Sequence, residues 1–349
     1  MAKKIVFLPI WGKINQTIPL RQMEAIRNMG GEACYGLPGT FFPMTRSALR
    51  MKPDVISMDW IHQYCLDKSF LKSIIKSTAF LIDVLLVKWV LRKKLVWTIH
   101  NLQHHDPRPR KLERLISSIF AQSCDKVRLL GEGMNEVVCN RFGIHPARLT
   151  IIPEGSFTGY YPDNLTREEA RKQLGIPVEA KVWLHFGAQR PYKGVEEILD
   201  FLSKNKPENT ILVVAGTPFN QGYVKNLEHL ANGNPAIKLF LKTIPDEDLQ
   251  IFFQSADLVI LPFKNVFNSS SIVLAMTFGK AVVAPALGMI PFRLQKQKEL
   301  LYSPNEGLEA GLDRASKLEK NRLIEIGNQN RIFVNQFQWM DFAKMILTL

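Results

Sequence analysis

A short basic segment carries the side chains and glycines best suited to holding an anion. Residues 185–194 read His-Phe-Gly-Ala-Gln-Arg-Pro-Tyr-Lys-Gly, after a strand-like apolar run at 181–186. The next apolar residues fall at the spacing of one helix face: Val195, Ile198, Leu199 and Leu202. At such a junction, backbone N–H groups and the helix dipole favour negative charge, and Arg190 and Lys193 add two cations. The spacing indicates a phosphate site, although a solvated basic turn would have the same pattern.

A histidine is the second candidate for chemistry. His100 follows the apolar run 95–99, so we expect it at the carboxyl end of a strand, where parallel sheets bind ligands. A histidine in that position can also be a packing or capping residue. His104, His105 and Asp106 follow closely, but no second cluster with ligand spacing accompanies them, so the sequence does not favour a metal site.

Three serines precede a later helical pattern. Ser269, Ser270 and Ser271 come directly before the apolar positions of a helix that Gly279 closes. Serines at a helix start are first of all N-caps, because their hydroxyls accept hydrogen bonds from free N–H groups of the first turn.

Strand-like and helix-like segments alternate along the chain. Apolar runs occur at 5–9, 33–37, 55–58, 95–99, 127–130 and 149–153, then at 182–186, 211–215, 237–241, 258–262, 281–285 and 299–302. Continuous apolar strands separated by helices indicate parallel sheets covered on both faces. In a chain of 349 residues, the two sets predict two doubly wound Rossmann-like α/β domains. We expect them at 1–160 and 161–331, with the ligand site in the cleft between them.

The last stretch, 332–349, is predicted to be a separate terminal helix. Its apolar residues lie mostly at helical spacing: Phe333, Phe337, Trp339, Phe342 and Ile346. They come after the second sheet is complete, so they need another apolar surface to cover them.

The net charge restricts the partners. The chain carries 45 Lys and Arg against 32 Asp and Glu, a formal net charge of +13, which favours nucleic acid, anionic lipid or a phosphorylated substrate. It has no long basic tract with interleaved aromatics and no zinc, helix-turn-helix or RNA-binding signature, so a nucleic-acid role is not favoured. Four widely spaced cysteines, and an N-terminal apolar run too short for a signal peptide, predict a cytoplasmic protein.

The segment 70–91 is strongly apolar but carries charges. Lys72, Lys76, Asp83 and Lys88 lie within it, and Arg92-Lys93-Lys94 follow. So many charges argue against a membrane-spanning helix. The segment either packs on the first sheet with its lysines in solvent, or rests its outer face on an anionic inner leaflet.

Four segments together resemble a known family. The segment at 187–194 resembles the Gly-x-x-Arg-Pro-Tyr-Lys-Gly segment that opens the second domain of GT-B glycosyltransferases, in the large family that includes retaining mannosyl- and glucosyltransferases. Further segments resemble the family in the same order, at 98–106, 240–263 and 268–285. Where many members carry two glutamates this chain has Val266 and Leu274, which leaves the donor and the retaining or inverting outcome open.

The resemblance implies a GT-B fold, in which two domains face across a cleft and the C-terminal helix crosses back to the first. It implies transfer of a sugar from a UDP- or GDP-sugar to a hydroxyl of a saccharide or lipid-linked acceptor in cell-surface polysaccharide synthesis. The resemblance also implies that no metal or other cofactor is needed. From the net charge of +13 and the segment 70–91, we expect the enzyme to work peripherally at the inner membrane face. A non-catalytic partner subunit of the same fold and a sugar-nucleotide epimerase are the alternatives.

The same resemblance gives roles to particular residues. His100 would face the donor sugar. The chemistry itself adds that an inverting reaction needs a carboxylate base in the first domain, for which Asp106 and Asp59 are the candidates. The donor phosphates would meet basic and hydroxyl side chains: Arg190, Lys193, Ser269, Ser270 and Ser271. The donor cleft would be lined by Gly12, Asn101, Gly187 and Gly216.

Overall fold

The chain forms two compact units, one of Met1–Glu154 with Gln338–Leu349 and one of Gly155–Phe337. The computed structural model describes residues 2–10, 17–103 and 109–349, so the predicted site residues Gly12 and Asp106 lie outside the described residues. Each unit is built on a six-stranded parallel sheet, which confirms the prediction of two Rossmann-like α/β domains.

The first sheet has the strand order β2-β1-β3-β4-β5-β6, and every described pairing is parallel. Its strands are β1 Lys4–Leu8, β2 Glu32–Tyr35, β3 Val55–Met58, β4 Lys94–Ile99, β5 Lys126–Leu129 and β6 Leu149–Ile151. The helices are α1 Thr17–Asn28, α2 Pro43–Met51, α3 His62–Cys65, α4 Phe70–Leu85, α5 Arg110–Ser123 and α6 Asn135–Phe142. The strand order reverses between β1 and β3, so a crevice opens beyond their carboxyl ends.

The second sheet has the order β12-β11-β10-β7-β8-β9, again parallel. Its strands are β7 Lys181–Phe186, β8 Thr210–Ala215, β9 Ile237–Phe240, β10 Leu258–Ile260, β11 Ala281–Pro285 and β12 Leu301–Tyr302. The helices are α7 Arg167–Gln173, α8 Val195–Asn205, α9 Gln221–Ala231, α10 Leu249–Ser255, α11 Ser270–Thr277, α12 Ile290–Arg293, α13 Gly307–Ser316 and α14 Lys320–Val334. Here the order reverses between β7 and β10, which places the loops after these strands at the switch point.

The carboxylate of Asp257 connects several elements at the start of the second unit by hydrogen bonds. Asp257 accepts hydrogen bonds from Arg167 at 2.8 Å, from the fully buried Arg171 at 2.7 Å and from the Val182 backbone N–H at 2.8 Å. Because Val182 lies in β7, the same carboxylate joins α7, β7 and the residue preceding β10.

The chain ends in a helix, α15 Trp339–Leu347, that belongs to the first unit. Phe342, Ala343 and Ile346 are fully buried in its core, and the Phe342 ring centroid lies 6.2 Å from that of Phe7. The guanidinium of the buried Arg128 stacks 4.6 Å from the same Phe342 ring. The predicted return of the C-terminal helix to the first domain is therefore confirmed.

The expected single segment at 332–349 is divided between the two units. Phe333 and Phe337 lie in the second unit, where their rings pack on each other and on Phe292. Helical spacing alone did not reveal this break, because the non-helical residues between α14 and α15 keep the apolar spacing nearly in phase.

The apolar segment at 70–91 is helical. It comprises α4 and a π-helical turn, Leu86–Val90. None of the helices that the structure describes is long and apolar enough to cross a membrane.

The buried C-terminal helix gives a test of the fold. Phe342→Ala in the full-length chain should lower the unfolding free energy by about 3–5 kcal/mol, because the change empties a fully buried ring site. Met340→Ala on the same helix is the matched control, since Met340 is half-exposed, and should change stability by less than about 0.5 kcal/mol. Denaturant unfolding followed by circular dichroism measures both, and equal effects of the two changes would contradict the placement of α15.

Candidate functional site

Two glycines bring the ends of β7 and β8 into close contact. Gly187 and Gly216 have φ angles of 118° and 138°, a region that favours glycine. A Cβ atom on Gly216 would lie 1.9 Å from the Gly187 carbonyl oxygen, and one on Gly187 would lie 2.8 Å from Lys193 Nζ. Only glycine fits these positions without moving the neighbouring atoms.

The ammonium of Lys193 is the central charge of this loop. The residue is buried, and its Nζ lies 3.5 Å from Ser271 Oγ and 5.8 Å from the centroid of the Phe263 ring. Burial and the nearby Arg190 guanidinium lower the pKa of Lys193 to about 8. No carboxylate among the described residues forms an ion pair with it. A buried cation of this kind is stabilised by an anion, so the arrangement is suited to a phosphate.

Gln189 fixes the loop, and sequence reasoning did not single it out. It is fully buried, its backbone N–H donates to Thr217 O at 2.7 Å, and its side-chain amide donates to the carbonyls of Gly187 and Ala215 at 2.7 and 3.0 Å. The loop is thus held in shape by protein contacts before any ligand arrives.

A neutral histidine lies beneath the same loop. His185 is fully buried in β7, and burial together with the charge of Lys193 lowers the pKa of its imidazole to about 3. An uncharged ring adds no repulsion to the neighbouring ammonium. Its position one residue before the end of a buried strand was the only sequence signal for it.

The remaining predicted phosphate contacts differ in their placement. The Arg190 guanidinium stacks 4.8 Å from the ring of the half-exposed Phe219, at the rim of the loop. Ser269 is the N-cap residue of α11 but makes no side-chain capping bond, and Ser270 and Ser271 begin the helix. The structure therefore brings Gly187, Lys193 and Ser271 together, with Gly216 behind them and Arg190 beside them.

In the first unit, His100 is paired with Asp59. His100 Nε2 lies 3.1 Å from Asp59 Oδ1, and the Trp60 ring stacks on the imidazole at a centroid distance of 3.8 Å. Asp59 follows β3 and His100 follows the adjacent β4, so both lie at the carboxyl edge of the first sheet. Asn101 comes next and is partly buried. The sequence proposed Asp59 as a base but did not predict the pairing.

A second buried histidine pair lies in the same unit. His62 Nε2 is 3.0 Å from Glu113 Oε1, which joins α3 to α5. Within the described ranges, no three or more His, Cys, Asp and Glu side chains are grouped so that they could hold a metal ion.

Most of the second unit is similar to a known family. Residues 166–336 match the family described as glycosyl transferases group 1. A GDP-mannose:glycolipid 4-beta-D-mannosyltransferase of Xanthomonas campestris pv. campestris is 26% identical over 246 residues, 70% of this chain and 64% of that protein. A D-inositol 3-phosphate glycosyltransferase of Corynebacterium urealyticum is 25% identical over 281 residues, 76% of this chain and 66% of that protein. The chain thus spans just under two thirds of the length of these relatives.

Solved structures share the whole fold. Anabaena HepE in complex with UDP-glucose matches with a TM-score of 0.71 and 17% identity, over 99% of this chain and 98% of that one. The sucrose-phosphate synthase of Thermosynechococcus elongatus matches with a TM-score of 0.75 and 16% identity, over 99% and 97%. Together with the two parallel sheets and the returning helix α15, these matches show that the chain has the GT-B fold. Residues 166–336 of its second unit match the glycosyl transferases group 1 family.

Proposed function

We propose that the protein transfers a sugar from a UDP- or GDP-sugar to a hydroxyl of a lipid-linked saccharide at an anionic membrane surface. The observation that carries the donor half of the proposal is the buried Lys193 ammonium beside Gly187 and Ser271. It lies at the switch point of the sheet that matches the group 1 family, where doubly wound sheets bind nucleotides.

The chemistry of the donor explains these side chains. When the bond between the sugar and the diphosphate breaks, negative charge grows on the departing phosphate oxygens. Lys193, Arg190 and the N–H groups at the start of α11 would stabilise that charge without reorganising, because Gln189 already holds the loop. Basic groups and helix termini can do this without a metal ion.

The names of similar proteins guide the choice of donor. The Xanthomonas relative is named for GDP-mannose and HepE was crystallised with UDP-glucose. In this chain Val266 and Leu274 are both buried and apolar. Donor hydroxyls must therefore be recognised by other groups than the two glutamates that many members carry at these positions.

The acceptor half of the proposal rests on α4, which buries several polar side chains and exposes large apolar ones. Its inner face carries the fully buried Ser73 and Asp83, and Asp83 accepts hydrogen bonds from the backbone N–H groups of Met44 and Thr45 at 3.0 and 2.7 Å. Burial raises the pKa of this carboxyl. The buried face of α4 therefore combines these polar side chains with the apolar Phe80 and Val84.

The outer face of α4 and of the π-helical turn is apolar. Trp89 is 71% exposed and Leu71 is 67% exposed, and the other large exposed side chains are Phe70, Ile74, Ile75, Ile82, Leu85 and Val90. We call this row the α4 face. An exposed apolar row of this size marks an interaction surface, and exposed cations at Lys68, Lys72 and Arg92 make anionic lipid its matching partner.

Three lysines of this region make contacts within the protein. Lys88 and Lys94 both pair with Asp125, at 2.5 and 3.2 Å, and Lys76 donates to the Leu66 carbonyl at 2.8 Å. Because these three amino groups bind other parts of the protein, they contribute less to attachment at a membrane. The apolar side chains, more than the lysines, would then provide the attachment.

Transfer itself is the first test. With a panel of UDP-, GDP- and ADP-sugars and octyl β-glucoside as acceptor, wild type should release nucleoside diphosphate from a UDP- or GDP-sugar. Arg190→Ala and Lys193→Met should each lower kcat by about 10²–10³-fold, the cost of losing one charge-assisted contact to a growing anion. Lys204→Ala, an exposed lysine of the same unit, should leave kcat unchanged. Near-wild-type kcat in either site variant would refute the phosphate assignment.

The pKa of Lys193 predicts how binding depends on pH. Because this amino group is charged only below about 8, affinity for nucleoside diphosphate should fall as pH rises through 8 to 9, where the phosphates themselves are already ionised. Titration calorimetry at pH 7, 8 and 9 measures this. In Lys193→Arg the cation persists, so the pH dependence should disappear; the same decline in that variant would assign it to another group.

The membrane claim predicts the result of vesicle flotation. Wild type should float with phosphatidylglycerol–phosphatidylcholine vesicles, and Leu71→Glu/Ile75→Glu/Trp89→Glu should not, because charges replace the apolar contacts. Lys72→Gln/Arg92→Gln should weaken binding by about 1 kcal/mol per cation at low salt. Ile324→Glu/Ile332→Glu, at exposed apolar positions of the second unit, is the control. If wild type dimerises through the α4 face and ignores vesicles, a second copy is the partner instead.

A further inference from the structure

We infer that the second unit binds a small amphipathic phosphate monoester at the amino edge of its sheet. The phosphate group occupies a basic cavity around Lys280, and the apolar body of the ligand occupies an adjoining cavity around Trp183. This ligand is distinct from the donor of the proposed sugar transfer, which would bind beside Lys193 at the opposite edge of the same sheet.

The two cavities adjoin where the strands of the second sheet begin. Their volumes are about 370 and 240 Å³, and every residue that lines them belongs to the second unit. The residues that line both are Arg167, Asp257, Lys320 and Leu323, so one molecule can occupy the two cavities together. Ligand pockets in proteins begin at about 300 Å³, so this space suits a compact ligand.

The smaller cavity, which we call the Lys280 cavity, has a surplus of positive charge. The cationic residues that line it are Arg167, Lys280, Lys320 and Arg331. The Asp257 carboxylate is divided between the guanidiniums of Arg167 and the fully buried Arg171, and Asp163 pairs with Arg331 at 2.8 Å. Among the described residues of this cluster, two carboxylates therefore accompany five cations. A phosphate monoester carries about −1.5 to −2 charges at pH 7 and offsets this surplus.

Two amino groups of the Lys280 cavity have no carboxylate partner in the part of the chain that the structure describes. Lys280 Nζ donates to the Ala256 carbonyl at 3.1 Å and forms no ion pair. Burial lowers its pKa to about 8, although the charges of Asp257 and Asp163 oppose the shift. Lys320 is exposed at the start of α14, and its amino group makes no hydrogen bond to a described residue. A phosphate held by both amino groups gains charge-assisted hydrogen bonds from each.

The larger cavity, which we call the Trp183 cavity, suits the apolar body of the ligand. Trp183 and Leu258 are buried core residues, and the half-buried Leu318 packs against the same core. Glu179 and Glu208 line this cavity and not the smaller one. Because these carboxylates repel an anion, the phosphate lies in the Lys280 cavity and the apolar body lies beside Trp183.

The strand β7 separates this site from the Lys193 loop. It begins at Lys181, which lines the Trp183 cavity, and its last residue directly precedes Gly187. Its length is roughly 17 Å, at about 3.3 Å for each residue step of a strand. A small phosphate monoester cannot reach across that length, so it and a nucleoside diphosphate can bind at the same time.

Titration calorimetry of the full-length protein with 2-naphthyl phosphate tests the site. We expect saturable binding about 10–100-fold tighter than that of inorganic phosphate, because the naphthyl ring buries apolar surface. 2-Naphthol, which lacks the anion, should bind at least about tenfold more weakly than 2-naphthyl phosphate. Saturating GDP should change the Kd of 2-naphthyl phosphate by less than about twofold. Failure of 2-naphthyl phosphate to bind, an affinity no better than that of inorganic phosphate, or its displacement by GDP would each overturn the inference.

Variants then locate the phosphate. Lys280→Gln should weaken the binding of 2-naphthyl phosphate by about 10–100-fold, the cost of losing a charge-assisted hydrogen bond. Lys320→Gln should weaken it by about 2–5-fold, because this lysine is exposed. Lys317→Gln removes an exposed lysine that lines neither cavity, so this matched control should bind as wild type does.

The melting temperature of each variant shows whether it folds. If Lys280→Gln does not fold, Lys320→Gln decides, since its side chain makes no hydrogen bond to the described residues. Wild-type affinity in every folded site variant, or an equal loss of affinity in Lys317→Gln, would overturn the inference.

Discussion

The loops of the second unit depend on holding the ammonium of Lys193 where the residue is buried. The charge of Lys193 would be costly there if its surroundings were apolar or positive. The Ser271 hydroxyl and the Phe263 ring stabilise this charge. His185 stays uncharged and adds no repulsion. Among the described residues, no negatively charged group forms an ion pair with Lys193, so one negative charge is still needed beside it. The donor phosphate that we propose for this site would supply it and would stabilise the loop at the same time.

That requirement explains features which otherwise look unrelated. Gly187 and Gly216 are needed because a side chain at either position would enter the space of the amino group or of the adjoining carbonyl. Gly194 lets the start of α8 approach the end of β10, since a Cβ there would lie 2.2 Å from Pro262 O. The parallel topology brings all three positions to one edge of the sheet.

Much of this could be predicted from sequence. Parallel strands are covered on both faces, so each appears as an uninterrupted apolar run, and each of the twelve runs became a strand. The basic loop could be predicted because glycines, cations and a helix start are local signals. The pairing of His100 with Asp59 could not, because it depends on the register between β3 and β4, where Met58 lies opposite Trp97. The burial of Ser73 and Asp83 in α4 could not be predicted either, since periodicity does not show which face of a helix is buried.

The return of α15 to the first unit also constrains how the protein is made. The ribosome completes all six strands of the first sheet before it has made Phe342, whose ring fills the space beside Phe7 and Arg128. The second unit is continuous in sequence and can close as soon as Phe337 has emerged. The domain synthesised first is therefore the domain finished last, and its core remains incomplete throughout translation of the other.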